Sequence, residues 1–141
     1  MNDYGRKIDE NRKRNEKYIN EFENWLIEKG FVEKTIIKHV NNVDLYINEY
    51  LNYYDIIKAE DGINFIYSFL GGWFIEKCSW SSKTSLQEIA TSIKKFYQYM
   101  SENNYVKVDD YKAMCNFIKE NMDKFLRELD EYYEEIYCDL F

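Results

Sequence analysis

The sequence predicts an all-α protein, a four-helix bundle with an additional long C-terminal helix. Three observations point to it. Proline is absent and glycine occurs five times in 141 residues, so little interrupts helical runs and a loop-rich β fold is disfavoured. The stretch from Ser81 to Val106 carries Leu86, Ile89, Ala90, Ile93, Phe96, Tyr97 and Met100 at i, i+3, i+4, i+7 spacing, which lays an amphipathic helix on a core. From Tyr111 to Ile136 apolar residues recur in alternating steps of four and three, a 3.5-residue period held for nearly four heptads. A chain of this length, 45% hydrophobic and 32% charged, is globular and can bury a core.

The first helix is predicted from about Lys7 to Lys29. Its start is polar all round, so residues 1–17 read as a mixed-charge arm that projects into solvent. Packing is expected from Tyr18, Ile19, Phe22, Trp25 and Leu26, and Gly30 reads as the residue just past the helix end. The second helix, about Glu33 to Tyr53, buries a stripe of Ile36, Val40, Val43, Ile47, Tyr50 and Leu51, with Ile37 and Tyr54 beside it. Its opening turns carry Lys34, Thr35, Lys38, His39, Asn41 and Asn42 next to a helix N-terminus, a position that suits phosphate.

The third helix spans about Asp61 to Lys77. Its Gly71-Gly72 pair calls for a kink or a close helix crossing, since each glycine costs about 1 kcal/mol against alanine inside a helix. No strand precedes the pair, so it is no phosphate loop. The fourth helix is the Ser81–Val106 stretch. Ser81, Ser82 and Thr84 offer caps and Asn103-Asn104 a left-handed close, while Lys83, Lys94 and Lys95, with Thr91 and Ser92, form the face opposite the core. The last helix, about Asp109 to Tyr137, has an acidic outer face. Its apolar stripe either folds back on the bundle or pairs with a second copy, and Met114, Leu126 and Tyr133 widen it in favour of the fold-back. The core is expected to contain Phe22, Trp25, Leu26, Val40, Ile47, Phe69, Trp73, Ile89, Ile93 and Phe96.

The net charge of −7 is unevenly spread. Residues 1–107 hold 15 Lys and Arg against 16 Asp and Glu, while residues 108–141 hold 4 against 10. The acidity therefore belongs to the C-terminal helix. Cys78, Cys115 and Cys138 fit no metal spacing, and His39 is the only histidine, so neither a metal site nor a cofactor is expected. The N-terminal residues form no signal peptide, and no run reaches the roughly 18–20 apolar residues of a membrane span. The expectation is a soluble cytoplasmic protein. No Ser-His-Asp order or paired acid and base stands out, so no catalysis is expected.

Two segments carry a family pattern. Phe22–Leu51 reads FENWLIEKGFVEKTIIKHVNNVDLYINEYL, and Thr84–Val106 reads TSLQEIATSIKKFYQYMSENNYV. Together they resemble the N-terminal core-binding domain of tyrosine recombinases, the phage-integrase family. Phe22, Trp25, Leu26 and Gly30 match that domain's first helix and Thr35 its second. Ile93, Lys95, Phe96, Tyr97 and Tyr99 match the fourth, with Lys95 in the place of a frequent arginine. The likeness covers about residues 18–106. It departs at Val32, where relatives often carry a capping serine or a small residue. It also lacks the arginine, histidine and tyrosine of the recombinase catalytic domain, since an acidic helix follows instead.

The resemblance implies an orthogonal, SAM-like four-helix bundle over residues 18–107 that clamps duplex DNA, with residues 108–141 as an added acidic helix. In the family the starts of the second and fourth helices face DNA, and the candidate phosphate contacts here are Lys34, Thr35, Lys38, His39, Lys83, Thr84, Lys94 and Lys95. The expected function is a non-catalytic DNA-binding module, an accessory or regulatory relic of a mobile element. The alternative is a protein-interaction or self-assembly module that has lost DNA binding and uses the Tyr111–Ile136 seam for a protein partner or a homodimer.

Overall fold

The computed structural model describes residues 2–140. Five helices build it: α1 (Asp3–Glu28), α2 (Glu33–Asp44), α3 (residues 66–77), α4 (Lys83–Glu102) and α5 (Val108–Leu140). No strand occurs among the described residues. The most buried element is α4, which packs against α2 on one side and α5 on another. Its stripe from Leu86 to Met100 is buried throughout, as the periodicity requires. Phe22 of α1 meets Phe96 of α4 edge-on, with ring centroids 5.5 Å apart. Of the expected core residues, only Trp25 and Val40 stay half-exposed.

Among the described residues, 2–17 do not form a free arm. Asn11 and Asn15, one turn apart on α1, are both fully buried. Asn11 Nδ2 donates to Asn52 Oδ1 (2.9 Å) and to the Ile57 carbonyl (3.1 Å). Asn15 Nδ2 donates to Asn48 Oδ1 (2.8 Å) and to the Ile47 carbonyl (3.2 Å). Buried amides persist only when hydrogen-bonded, and here the Nδ2 groups of both asparagines find acceptors on the segment 47–57, while Asn15 Oδ1 has no partner. The acceptor at Ile47 comes from a local change in the backbone. After Asp44 the second helix widens into a π turn over Leu45–Tyr50, and the Leu51 amide reaches back five residues to Tyr46 (3.0 Å). Ile37 and Tyr54, placed beside the buried stripe from sequence, are exposed.

The third helix is shorter and more broken than its predicted span. Asp61–Asn64 is a 3₁₀ turn, Phe65 breaks the run, and a second π turn, Phe69–Trp73, interrupts α3 at the glycine pair. Gly71 also allows a close crossing, because a Cβ there would press on the Phe125 ring of α5 at 3.2 Å. Gly71 therefore serves the crossing, at a point where the helix also widens into a π turn. The loop before this helix is held by Tyr46, whose hydroxyl donates to the Gly62 carbonyl (2.6 Å), and by Tyr97, which donates to the Ala59 carbonyl (2.7 Å).

The helix ends follow the sequence signals. Gly30 takes φ +87 past α1, and Asn104 takes φ 63 past α4. Ser82 and Ser85 form a reciprocal capping box at the start of α4.

The C-terminal helix folds back as the fifth member of the bundle. Met114, Ile118, Phe125 and Leu129 are buried against the rest of the chain. The Tyr133 hydroxyl meets Ser81 Oγ at 2.8 Å and donates to the Ser81 carbonyl at 3.0 Å. Most of the Tyr111–Ile136 seam is thus occupied within one molecule, so a homodimer cannot use it along its full length. Residues 134–140 continue as helix, and all are exposed. Among the described residues no helix is long and apolar enough to cross a membrane.

Candidate nucleic-acid interface

The expected basic residues divide among three places, one on α2 and two on α4. Lys83 and Thr84 lie at the start of α4, and Lys94 and Lys95 lie three turns on. Twelve residues of helix separate Lys83 from Lys95, about 18 Å at the α-helical rise. The Lys83 ammonium pairs with Asp130 of α5 at 3.1 Å. The amides at that terminus are engaged by the capping box, with Ser85 N–H donating to Ser82 Oγ (3.1 Å) and Ser82 N–H to Ser85 Oγ (2.8 Å). The capping box and the Lys83–Asp130 pair therefore compete with a phosphate at the start of α4.

At the start of α2, Lys34 is exposed and Thr35 half-buried. Val32 supplies no side-chain cap, and Glu33 puts a carboxylate in the first turn, where it competes with an incoming anion for the helix dipole. Lys38 reaches across to Glu88 of α4 at 3.5 Å.

His39 is not a surface residue. It is 4% exposed, wedged between α2 and α4 with the Phe31 ring edge-on at 5.9 Å. Its Nδ1 lies 2.7 Å from Ser92 Oγ. That hydroxyl donates to the Glu88 carbonyl (3.1 Å) and accepts from Asn42 Nδ2 (3.0 Å). With the hydroxyl proton committed, His39 Nδ1–H is the donor to Ser92. The direct phosphate contact expected of His39 is replaced by a buried interhelical bond. The spacing placed it on the polar face of α2, and α4 covers that side of the helix.

Burial pushes the His39 pKa down, helped by the charges of Lys38 and Lys95 and opposed by Glu88. Its imidazole is favoured neutral in the fold, whereas the unfolded chain takes the proton near pH 6.5. The stability this provides is therefore complete above about pH 6.5 and falls as pH drops through the lower folded value. Thermal melts between pH 7.5 and 5 should show a larger drop in Tm for the parent than for His39→Gln, which has no titrating ring. Parallel pH profiles for the two proteins would remove His39 from the account.

Lys94 and Lys95 sit on the rim of a groove of about 580 Å³ between α4 and α5. Lys119 of α5 stands on the opposite rim, and Tyr111, Ile118 and Met122 give the floor an apolar surface. Thr91, Gln98 and Asn116 add neutral polar groups. Among the described residues, neither Lys94, Lys95 nor Lys119 forms an ion pair. Lys95 instead lies over the Phe31 ring, 5.4 Å from its centroid, which joins the groove to the start of α2. Burial and a hydrogen bond to Cys115 push the Tyr111 phenol up to about 12, so it stays a neutral hydroxyl at the groove edge.

Sequence reasoning missed Lys119. It follows Ile118 of the apolar stripe and lies one turn beyond Cys115, so it borders the buried face. The acidic character of the helix as a whole hid it. Among the described residues no group of three or more His, Cys, Asp and Glu could hold a metal ion. No family model, curated protein or solved structure matches the chain.

Proposed function

We propose that this protein is a non-catalytic DNA-binding module resembling the integrase core-binding domain, with its contact surface on the groove between α4 and α5. The observation that carries the reading is the convergence of Lys94, Lys95 and Lys119 on that groove without a carboxylate partner, in a chain of net charge −7. What sets this place apart is that two helices bring three such lysines to one groove, where together they can meet a polyanion. Lys34 and Lys38, one turn apart on α2, extend the surface past Phe31. Lys83, Thr84 and His39 stand outside it. Phosphate contacts of this kind position a duplex without reading its sequence.

The test is fluorescence anisotropy with a labelled duplex across a salt series. Four or five phosphate contacts give a log–log salt slope of about −4, so affinity should fall steeply between 50 and 200 mM salt. Lys94→Glu with Lys95→Glu should weaken binding more than tenfold at low salt and flatten the slope by about 2. Circular dichroism should confirm an unchanged helix content, since both side chains lie at the rim. A parent that does not bind at 50 mM salt, or a double variant that binds as well as the parent, overturns the reading.

The alternative, a protein-interaction or self-assembly module, is favoured by a different observation. Ile136 and Leu140 are 39% and 73% exposed on the last turns of α5.

A further inference from the structure

The groove between α4 and α5 holds more than a duplex backbone uses. Phosphates along a duplex need cations at a surface, and Lys94, Lys95 and Lys119 supply them. Between those lysines lies a trough of about 580 Å³, within the roughly 300–1,000 Å³ of sites that take small ligands. Tyr111, Ile118 and Met122 give it an apolar floor, and Gln98 and Asn116 add neutral donors and acceptors. Tyr111 and Met122 are only half-buried, so the floor stays partly open. Among the described residues no Asp or Glu lines it, in a chain of net charge −7.

The trough changes character along its length. The short link 103–107 and the Lys83–Asp130 pair set α4 and α5 antiparallel. Gln98 therefore lies towards the Tyr111 end, while Lys94 and Lys95 come level with the turn of α5 that carries Lys119. Tyr111 supplies the one aromatic ring of the lining, among the described residues. Lys119 is eight residues further on, about 12 Å at the α-helical rise. A ring with an amide beside it, followed by three ammonium groups, suits a molecule with a flat heteroaromatic part and a phosphate. A nucleobase has faces that stack on an aromatic ring and edges that meet an amide. In a duplex those faces are covered by neighbouring pairs, so only an unpaired base can use the floor.

We propose, on the same reading of this groove as a nucleic-acid surface, that it seats one unpaired nucleotide, with the base against Tyr111 and Gln98 and the phosphate among Lys94, Lys95 and Lys119. The nucleotide is either a free nucleoside 5′-phosphate or an unpaired residue at the end of a DNA strand, since both present the same base, sugar and phosphate. The two halves of the ligand bind as one. The apolar floor has little hold on a phosphate, and the lysines have little hold on a base. The phosphate contact is exposed to solvent, so binding weakens with salt.

The experiment uses the full chain at 50 mM salt with thiols kept reduced. Deoxyadenosine 5′-monophosphate, deoxyadenosine and inorganic phosphate are titrated in turn and followed by backbone amide NMR. The whole nucleotide should bind about tenfold or more tighter than either half, because linking two weak contacts raises their effective concentration. It should shift the amides of Gln98 and of residues 111–119. Fluorescence anisotropy then compares a duplex bearing an unpaired adenosine tail with a blunt duplex of equal phosphate count. The tail should raise affinity about fivefold or more, the effect of one stacked base. Tyr111→Leu should remove that gain, and Lys94→Glu with Lys119→Glu should weaken every phosphate-bearing probe. Binding of the monophosphate supports a free ligand, and a gain confined to the tailed duplex assigns the groove to a strand end. A monophosphate no tighter than inorganic phosphate, together with equal affinity for tailed and blunt duplexes, overturns the proposal, whereas the blunt duplex alone decides the DNA reading. A monophosphate that binds where no blunt duplex does overturns the duplex reading and supports the nucleotide. Amide shifts that fall outside the groove, or a tail gain that survives in a folded Tyr111→Leu, overturn the proposal as well. Circular dichroism checks the fold of each variant, and if Tyr111→Leu unfolds, the amide shifts of the parent decide.

Discussion

Ending the chain after Val106 should leave a polypeptide without a cooperative melting transition. The acidic helix looks in the sequence like an addition to a four-helix domain, but it supplies core. Met114, Ile118, Phe125 and Leu129 are each at most 4% exposed. Burying side chains of this size contributes about 1.5–3 kcal/mol each, or roughly 6–12 kcal/mol for four. The net stability of a small domain is about 5–15 kcal/mol. Removal of α5 also uncovers the apolar residues it packs on, including the π turn Phe69–Trp73 where Phe125 crosses Gly71. The truncated chain should show weak near-ultraviolet circular dichroism and a broad, non-cooperative melt. A sharp transition within a few degrees of the parent would mean that α5 is an appendage and that the chain up to Val106 folds alone. The same argument bears on electrostatics. The effect of the acidic helix on DNA affinity has to be measured by neutralising its outer carboxylates in the full chain, because deletion would change the fold and the charge together.

Periodicity made most of the fold legible. An apolar stripe at helical spacing marks a buried face whatever covers it, so α4, the inner face of α5 and Phe22 with Leu26 could be read directly. The helix ends were legible for a related reason. Gly30 and Asn104 adopt the positive φ that ends a helix, and few other residues adopt it readily. Polar burial was not legible. Asn11 and Asn15 carry no hydrophobic signal, and their partners Asn48 and Asn52 lie more than thirty residues away. The pairing shows only afterwards, as two i, i+4 asparagine steps that face each other. The π turns were hidden as well, because both lie inside runs whose composition suits an ordinary helix.

The candidate surface was legible only in part. Lys94 and Lys95 were visible because they lie opposite the α4 stripe. Whether a surface lysine is free depends on carboxylates brought from elsewhere in the chain. Lys38 finds Glu88 fifty residues away, and Lys83 finds Asp130. Sequence spacing cannot show such pairs. Lys119 was hidden by averaging, since six surplus acidic charges spread over residues 108–141 conceal a lysine placed at the inner edge of the helix.

Replacing Phe96 with alanine should cost about 3–5 kcal/mol, the range for a buried aromatic truncated to leave a cavity. Phe96 is fully buried at the point where α1 and α4 meet. Its ring stands edge-on to Phe22 at 5.5 Å and to Tyr97 at 5.1 Å, and lies tilted against Tyr99 at 5.9 Å. Such aromatic pairs add about 0.5–1.5 kcal/mol beyond the area they bury. The neighbours have little freedom to fill the space. Tyr97 is held by its hydrogen bond to Ala59 and Tyr99 by one to Glu21. The cavity should therefore stay open, and the loss should fall towards the upper end of the range. Urea unfolding gives the measurement, with an unchanged m-value showing that the folded and unfolded states are otherwise alike. Phe96→Leu separates the two contributions: it keeps most of the apolar volume and loses the aromatic contacts, so it should cost clearly less than alanine. If alanine and leucine cost the same, the aromatic contacts carry the effect and the site collapses around the missing volume. If Phe96→Ala melts with the parent, Phe96 is not core and the packing of α1 on α4 is misassigned.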